Sequence, residues 1–126
     1  AMSKVKHLST KAEFDQCLQN AGQKLVVVDF TASWCGPCKS IAPAYEAMAA
    51  HNDNAQVVFT KVDVDENKET AQAAGIKAMP TFHLYKASRL VFSFSGADIE
   101  QLRTAVAQHR GDAWSSLTGG NTLAAA

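Results

Sequence analysis

Apolar residues recur along this chain with two alternating periods, and the order of those periods predicts the order of its secondary structure. Residues 5–8 begin as a short extended stretch, and residues 10–13 have the form of a capping box that opens a helix. Residues 25–31 are β-branched and apolar with one acid among them, which is typical of a strand covered on both faces. Residues 35–50 change to helical spacing. The first part of the chain is therefore predicted to read strand, helix, strand, helix.

The second part of the chain continues the alternation and then closes with a hairpin. Residues 56–64 predict a strand and residues 66–74 a short helix, while residues 81–85 and 90–95 are two β-rich runs close enough to pair antiparallel. A last amphipathic helix runs from Asp98 to about His109. The order βαβαβαββα predicts an α/β fold with a central mixed five-stranded sheet flanked by four helices.

The composition changes at the end of the chain. Residues 111–126 are dominated by Gly, Ser, Thr and Ala and have no periodic apolar face. We therefore expect one domain over residues 1–110, followed by a flexible tail or linker over residues 111–126.

Charge and hydropathy exclude several classes of function. The 126 residues carry 12 Lys and Arg against 12 Asp and Glu, so a basic surface for nucleic acid is not expected. The longest apolar run, Leu25 to Val28, is far shorter than the roughly 20 residues that span a bilayer. The N-terminal residues also lack the long apolar stretch of a secretory signal. The sequence thus predicts no nucleic-acid or membrane partner and a cytoplasmic location.

The cysteines carry the chemistry that the sequence indicates. Of the three, Cys35 and Cys38 form a Cys-x-x-Cys motif where a buried strand is expected to lead into a helix. A helix N-terminus presents unpaired N–H groups and partial positive charge, which stabilise a thiolate. We therefore expect Cys35 to be the exposed nucleophile with a lowered pKa, and Cys38 to lie one turn deeper on the same face. Such a pair can reduce a disulfide by way of a mixed disulfide.

Two other interpretations of the motif stay open on the residues alone. A Cys-x-x-Cys pair can be half of a zinc site, but such a site requires a second Cys or His pair. The third cysteine, Cys17, is not part of such a pair. Cysteines can also be plain core residues. That role suits Cys17, which shares an apolar helix face with Phe14 and Leu18. No metal ligand set is predicted, and the four histidines are assigned no role.

The segment from Val28 to Lys39 reads VDFTASWCGPCK and resembles the active-site segment of the thioredoxins, particularly the eukaryotic cytosolic ones. The resemblance extends over about residues 4–110 and includes Pro43, the Met79-Pro80-Thr81 string and Gly96. It implies the thioredoxin fold and a thiol–disulfide oxidoreductase with no cofactor beyond the redox-active Cys35–Cys38 disulfide.

The resemblance also implies roles for two charged residues. Asp29 is an acid in a strand expected to be buried, where a carboxylate is costly. In similar proteins it has a raised pKa and takes the proton from Cys38, and Lys61 modulates that pKa. A structural ion pair between Asp29 and Lys61 is the alternative.

In similar proteins the Met79–Pro80 bond is cis and brings its loop beside the sulfurs. An extended peptide would lie in a shallow groove there and pair with the backbone. The residues that the resemblance implies for substrate binding are Trp34, Gly36, Pro37, Met79, Pro80, Gly96 and Ala97.

Three classes of function remain open. The protein is expected to be a monomeric protein-disulfide reductase that acts on disulfide-containing proteins and is re-reduced by thioredoxin reductase. A disulfide isomerase or oxidase is the second class, although such relatives usually carry other residues between the cysteines. The third is a thioredoxin-like adaptor domain of a larger protein. The pattern from Phe94 to Asp98 is similar to that of larger thioredoxin-like proteins.

Overall fold

The structure, a computed structural model, describes residues 3–111. It contains a five-stranded sheet and four α-helices in the order predicted from the sequence. The strands are β1 (Lys6–His7), β2 (Val26–Thr31), β3 (Val58–Asp63), β4 (Thr81–Lys86) and β5 (Arg89–Ser95). The helices are α1 (Lys11–Ala21), α2 (Gly36–Ala50), α3 (Lys68–Ala73) and α4 (Ile99–His109), with a 3₁₀ turn at Asn52–Asn54. The tail expected over residues 111–126 lies outside the described residues from residue 112 onwards.

The sheet is mixed, and β2 lies at its centre. The strand order is β1-β3-β2-β4-β5, with β1, β3 and β2 parallel and the β4–β5 hairpin antiparallel to them. Within β2, Asp29 lies opposite Lys61 of β3 on one side and Phe82 of β4 on the other. The one acid in the strand therefore lies in the middle of the sheet.

Helices cover both faces of the sheet and create two apolar cores. The α2 face, covered by α2 and α4, buries one set of side chains from the strands, including Leu25, Val27, Phe59, Phe82 and Leu84. The α1 face, covered by α1 and the region of α3, buries the other set, including Val26, Val28, Phe30 and Val62. Because successive side chains of a strand point to opposite faces, Asp29 shares the α2 face with Val27.

Short-range signals explain where the helices begin. Thr10 accepts a hydrogen bond from the N–H of Glu13 (3.0 Å), and the Glu13 carboxylate accepts one from the N–H of Ser9 (2.7 Å). The predicted side-chain cap by Thr10 is confirmed and satisfies one free N–H group of α1, while the Glu13 carboxylate reaches the N–H of the residue before the cap. Asp98 caps α4 in the same way, accepting from the N–H of Gln101 (3.0 Å).

Several element bounds differ from those predicted. Helix α3 begins only after Asn67, because the Asn67 side chain caps it by accepting from the N–H of Thr70 (3.3 Å). The hairpin connection is a two-residue turn, in which Ala87 (φ 52°) and Ser88 (φ 64°) both have left-handed backbone. Turns of that type usually contain Gly or Asn, so propensity alone does not locate this one.

Within residues 3–111, no helix is long and apolar enough to cross a membrane.

Candidate active site

The two motif cysteines lie at the junction between the end of β2 and the first turn of α2, as the sequence predicts. Cys35 is the N-cap of α2, and its Sγ is bonded to that of Cys38 with the two Cα atoms 5.3 Å apart. The structure therefore represents the oxidised form. Pro37 occupies the first turn, where its missing N–H costs no hydrogen bond, and Gly36 precedes it. Both residues are exposed beside the disulfide.

The expectation that Cys35 is exposed is wrong for the oxidised form. Cys35 is 5% exposed and Cys38 is 3% exposed, and both pack with Ala32 and the partly buried Met79. The loop that contains Met79 covers part of Cys35, with the Met79 carbonyl oxygen 3.7 Å from Cys35 Sγ. The exposed surface next to the disulfide is formed by the neighbouring residues Trp34, Gly36 and Pro37.

The first turn of α2 points partial positive charge at the Cys35 sulfur. The N–H of Cys38 lies 3.1 Å from Cys35 Sγ, and the Met79 carbonyl oxygen lies 3.7 Å from it. When the disulfide is reduced, an N–H group at this position can donate to a thiolate, and the helix N-terminus adds to its stability. The local geometry thus suits a nucleophilic sulfur at Cys35.

Asp29 is a buried carboxyl that lacks a full set of partners. It is 4% exposed, and its Oδ1 has no hydrogen-bond partner among the described residues. Burial raises the pKa of Asp29 to about 7, and the positive charge of Lys61 opposes the rise. Within the described part of the chain, no ion pair joins Asp29 to Lys61. The alternative of a direct structural pair between them is therefore not observed. A carboxyl with such a pKa can exchange a proton near neutral pH.

A cavity connects the Cys38 side of the disulfide with the neighbourhood of Lys61. It measures about 250 Å³ and is lined by Cys38, Lys61, Lys39, His7 and Asp63, among others. Lys61 is half-buried there, as the residue opposite Asp29 in the sheet. The cavity thus brings Cys38 and Lys61 to one depression, whose lining does not include Asp29.

Trp34 is held in place by an acid that the sequence interpretation did not single out for a role. The indole is 65% exposed, and its Nε1 donates to Asp65 Oδ2 (2.7 Å). Asp63 supports this loop by accepting from the N–H groups of Asp65 (2.9 Å) and Glu66 (3.2 Å). The contact depends on the parallel register of β2 and β3, whose carboxyl ends meet at one edge of the sheet, so no local sequence signal identifies it.

The loop before β4 completes the site. The Met79–Pro80 bond is cis, as the resemblance implied, and Met79 contacts the cysteine cluster. The Pro80 carbonyl accepts from the N–H of Gly96 (2.8 Å), which brings Gly96 and the exposed Ala97 to the same end of the sheet. Gly96 has φ 109°, a backbone conformation that residues with a Cβ rarely adopt. The residues predicted to bind substrate are thus gathered around one edge.

Cys17 lies outside this site and is less deeply buried than predicted. Cys17 is a free cysteine that contacts the α1-face core but is only partly buried, so its assignment to the core is too strong. Helix α1 is a surface helix, and Cys17 lies at the border of its buried stripe, where burial raises its pKa. Within residues 3–111, no group of three or more His, Cys, Asp or Glu side chains is arranged to hold a metal ion.

Comparison with known proteins gives one consistent result. The family model described as Thioredoxin matches residues 5–108. A thioredoxin of Geodia cydonium is 52% identical over 84% of this chain and 99% of its own length, and human thioredoxin is 43% identical over 81% and 95%. Among solved structures, Fasciola hepatica thioredoxin superposes with a TM-score of 0.80 at 42% identity, covering 83% of this chain and 99% of that one.

Proposed function

Since this chain belongs to the thioredoxin family and is a thiol–disulfide oxidoreductase, we propose that it works as a protein-disulfide reductase. The observation that carries the proposal is the Cys35–Cys38 pair at the start of α2, with the Cys38 N–H directed at Cys35 Sγ. The Gly36-Pro37 dipeptide between the cysteines supports reduction over oxidation, because oxidising and isomerising relatives usually carry other residues there.

The reaction starts from the reduced dithiol. The Cys35 thiolate attacks one sulfur of a substrate disulfide, and that S–S bond breaks to release one substrate thiolate. The other substrate sulfur stays bonded to Cys35 as a mixed disulfide. The Cys38 thiolate then attacks Cys35 Sγ, which forms the Cys35–Cys38 disulfide and releases the second substrate thiolate. Two electrons pass from the protein to the substrate, and the two substrate thiolates take up protons.

Asp29 supplies the proton transfer that the second step needs. A Cys38 thiol must lose its proton before it can attack, and a thiol in an apolar site holds its proton tightly. With a pKa of about 7, Asp29 is ionised in a substantial fraction of molecules near neutral pH and can accept that proton through water. Lys61 opposes the rise in the Asp29 pKa and so keeps the carboxyl in the useful range.

Substrate binding takes place on the surface around the disulfide. Trp34 offers an exposed apolar face, while the Met79–Pro80 loop lies beside Cys35. An extended substrate segment can pair with the backbone of this loop, with Gly36, Pro37, Gly96 and Ala97 shaping the groove. Small residues at these places leave room for the substrate chain, and no Cβ at Gly36 would meet a neighbour within 4 Å.

The proposed partners follow from the family. Thioredoxins typically receive electrons from thioredoxin reductase and pass them to disulfide-containing proteins, and we assign the same partners to this chain. The proposed compartment is the cytoplasm, where thiols are kept reduced and a reductase has substrates. No cofactor other than the Cys35–Cys38 disulfide takes part. Residues 1–110 are proposed to form the working domain, with residues 111–126 as an extension to it.

Trapping tests the two-step mechanism. Cys38→Ser removes the resolving thiol and leaves the nucleophile, so a covalent complex with a disulfide-containing substrate should accumulate and disappear on adding dithiothreitol. Cys35→Ser is the matched control, since it keeps one cysteine of the motif and should form no such complex. Multiple turnovers by Cys38→Ser would overturn the assignment of Cys38 as the resolving thiol.

The reduction potential of the Cys35–Cys38 pair tests the direction of electron flow. Equilibration in dithiol and disulfide buffers, followed by Trp34 fluorescence, should give a value near about −270 mV, as for a net reductase. A value of about −180 mV or higher would overturn the reductase assignment in favour of a disulfide isomerase or oxidase.

A further inference from the structure

The Met79-Pro80-Thr81 string contains one residue to which the proposed function gives no role, namely Thr81. Thr81 is the first residue of β4 and is 7% exposed, so its hydroxyl is buried at the end of the sheet where the disulfide lies. A buried hydroxyl is costly without hydrogen-bond partners, because it has lost its contact with water. The partners of this hydroxyl lie in the loop before β4 and at the end of β5.

The Thr81 hydroxyl connects these two segments through hydrogen bonds of defined direction. Thr81 Oγ1 donates to the carbonyl oxygen of Ala78 (2.6 Å), and it lies 2.7 Å from Oγ of Ser95, its cross-strand partner. A hydroxyl has one hydrogen to donate, and a carbonyl oxygen can only accept. Because Thr81 uses its hydrogen for Ala78, Ser95 is the donor in the second bond. The chain of bonds therefore runs from Ser95 through Thr81 to the Ala78 carbonyl.

The loop before β4 has three successive carbonyl groups with different surroundings. The first, that of Ala78, accepts the hydroxyl bond just described, and the third, that of Pro80, accepts from the N–H of Gly96 (2.8 Å). The carbonyl between them, that of Met79, lies 3.7 Å from Cys35 Sγ. The backbone is thus held on both sides of Met79 by groups at the ends of β4 and β5, and these bonds fix the direction that the Met79 backbone faces.

We propose that Thr81 and Ser95 are positioning residues, which hold the Met79 backbone in the orientation that an extended substrate chain needs for pairing. This inference rests on the proposed function, in which a substrate segment pairs with the backbone of this loop. A loop that is already ordered loses less conformational freedom on binding, so it binds the substrate more tightly. The two hydroxyls therefore contribute to the binding of peptide chains and leave the chemistry of the cysteine pair unchanged.

A purely structural role of the Thr81 hydroxyl is the competing explanation, and Thr70 provides a matched comparison for it. Thr70 is also buried, at 1% exposed, but its Oγ1 has no hydrogen-bond partner among the described residues. Replacement of Thr by Val keeps the branching at Cβ and removes the hydroxyl. The same substitution at the two positions therefore separates the loss of a hydrogen-bonded hydroxyl from the change of a buried side chain.

Single-turnover oxidation of the pre-reduced full chain tests the proposal. The protein is mixed with excess insulin, whose disulfides lie on peptide chains, or with hydroxyethyl disulfide, which has no peptide chain to pair, and oxidation is followed by Trp34 fluorescence. Thr81→Val should raise the half-saturating concentration of insulin severalfold and leave the limiting rate near that of the parent, because binding energy common to ground state and transition state is lost. The rate with hydroxyethyl disulfide should not change. Thr70→Val should behave like the parent with both disulfides.

Rescue and coupling provide two further readouts. Thr81→Ser keeps the hydroxyl and should recover most of the insulin binding. Ser95→Ala should have a smaller effect than Thr81→Val, since Thr81 can still donate to the Ala78 carbonyl. It should add nothing to the effect of Thr81→Val in the double variant, because the chain of bonds is already broken there. Circular dichroism confirms the folding of each variant.

Three outcomes would overturn this proposal alone. They are a Thr81→Val protein that binds insulin like the parent, one that is slowed equally with both disulfides, and a Thr81→Ser protein that shows no recovery. A parent protein that reduces neither disulfide would instead overturn the proposed function, and this inference with it, so the two failures are distinguishable.

Discussion

The buried carboxyl of Asp29 on the α2 face has fewer partners than several buried polar groups on the α1 face. On the α1 face, His83 Nδ1 lies 3.0 Å from the Tyr85 hydroxyl, and Thr60 Oγ1 donates to the Val27 carbonyl (2.8 Å). Beside it, Asn67 donates to the Leu8 carbonyl (3.1 Å). On the α2 face, Asp29 is as deeply buried but has an oxygen without a partner among the described residues. The partnered groups position secondary structure, whereas Asp29 lies in the strand that leads to the redox pair.

The difference shows how burial can serve either architecture or chemistry. A buried polar group with partners stabilises one arrangement, because losing a partner leaves an unsatisfied atom. A carboxyl without full partners instead has a strongly shifted pKa, which costs stability and gives it a proton to exchange. Thr70 Oγ1 also lacks a partner on the α1 side, but a neutral hydroxyl has no charge to destabilise and does not titrate.

The largest expected effect is on the rate of disulfide reduction, and it comes from replacing the nucleophile. Cys35→Ser should lower the rate of disulfide reduction by on the order of a thousandfold or more, because a hydroxyl cannot replace the thiolate as nucleophile. Turnover is measured with a disulfide protein as substrate and thioredoxin reductase as electron donor. Cys17→Ser is the control and should leave the rate unchanged, since Cys17 lies on α1 away from the pair. A fully active Cys35→Ser would contradict the mechanism.

The next largest effect is the pH dependence that Asp29 imposes on stability. Its pKa is about 7 in the folded protein and about 3.8 when unfolded, so the folded state binds more protons between these values. Stability must therefore fall as pH rises through this window, by about 3 kcal/mol between pH 5 and pH 8 at one pKa unit per 1.36 kcal/mol.

Asp29→Asn isolates that contribution, because it removes the ionisable group and keeps the shape. Urea unfolding of the oxidised proteins at both pH values should show the variant gaining on the parent as pH rises, with the other titrating groups cancelling in the difference. The same variant should resolve mixed disulfides more slowly near neutral pH. A difference between variant and parent that is the same at pH 5 and pH 8 would contradict the raised pKa.

Asn67, beside the α1 face, is a buried polar group that has partners, in contrast to Asp29. Asn67→Ala should lower the free energy of unfolding by about 1–3 kcal/mol, because it leaves the Leu8 carbonyl without a donor and removes the cap of α3. The loss should be the same at pH 5 and pH 8, and the rate of disulfide reduction should stay near that of the parent. A loss of activity without a loss of stability would show that the two faces are not separated in this way.

The alternation of elements and the place of the cysteine pair could be predicted for physical reasons that are local, whereas the cis Met79–Pro80 bond and the substrate-binding residues were implied by the family resemblance. The period of apolar residues, the cap at Thr10 and the acid in β2 are all visible without tertiary structure. The low exposure of Cys35 is not, since it depends on the loop containing Met79, which is distant in the chain. The bond from Trp34 to Asp65 likewise required the parallel register of β2 and β3.

The smallest effect tests a partnered polar group on the same face as Asp29. Tyr45 projects from α2 onto the sheet, and its hydroxyl donates to the carbonyl oxygens of Thr60 (2.7 Å) and Val27 (3.3 Å). Burial raises the pKa of Tyr45 well above its usual value, so it stays neutral.

Tyr45→Phe keeps the aromatic packing against Phe59 and Phe82 and removes one hydroxyl. It should cost about 0.5–1.5 kcal/mol of stability, measured by urea unfolding, because the carbonyl oxygens lose one donor. That cost should not vary between pH 5 and pH 8, in contrast to Asp29→Asn. If it varied as strongly as the effect of Asp29→Asn, the hydroxyl would be coupled to the carboxyl, and the distinction between partnered and unpartnered groups would fail on the α2 face itself.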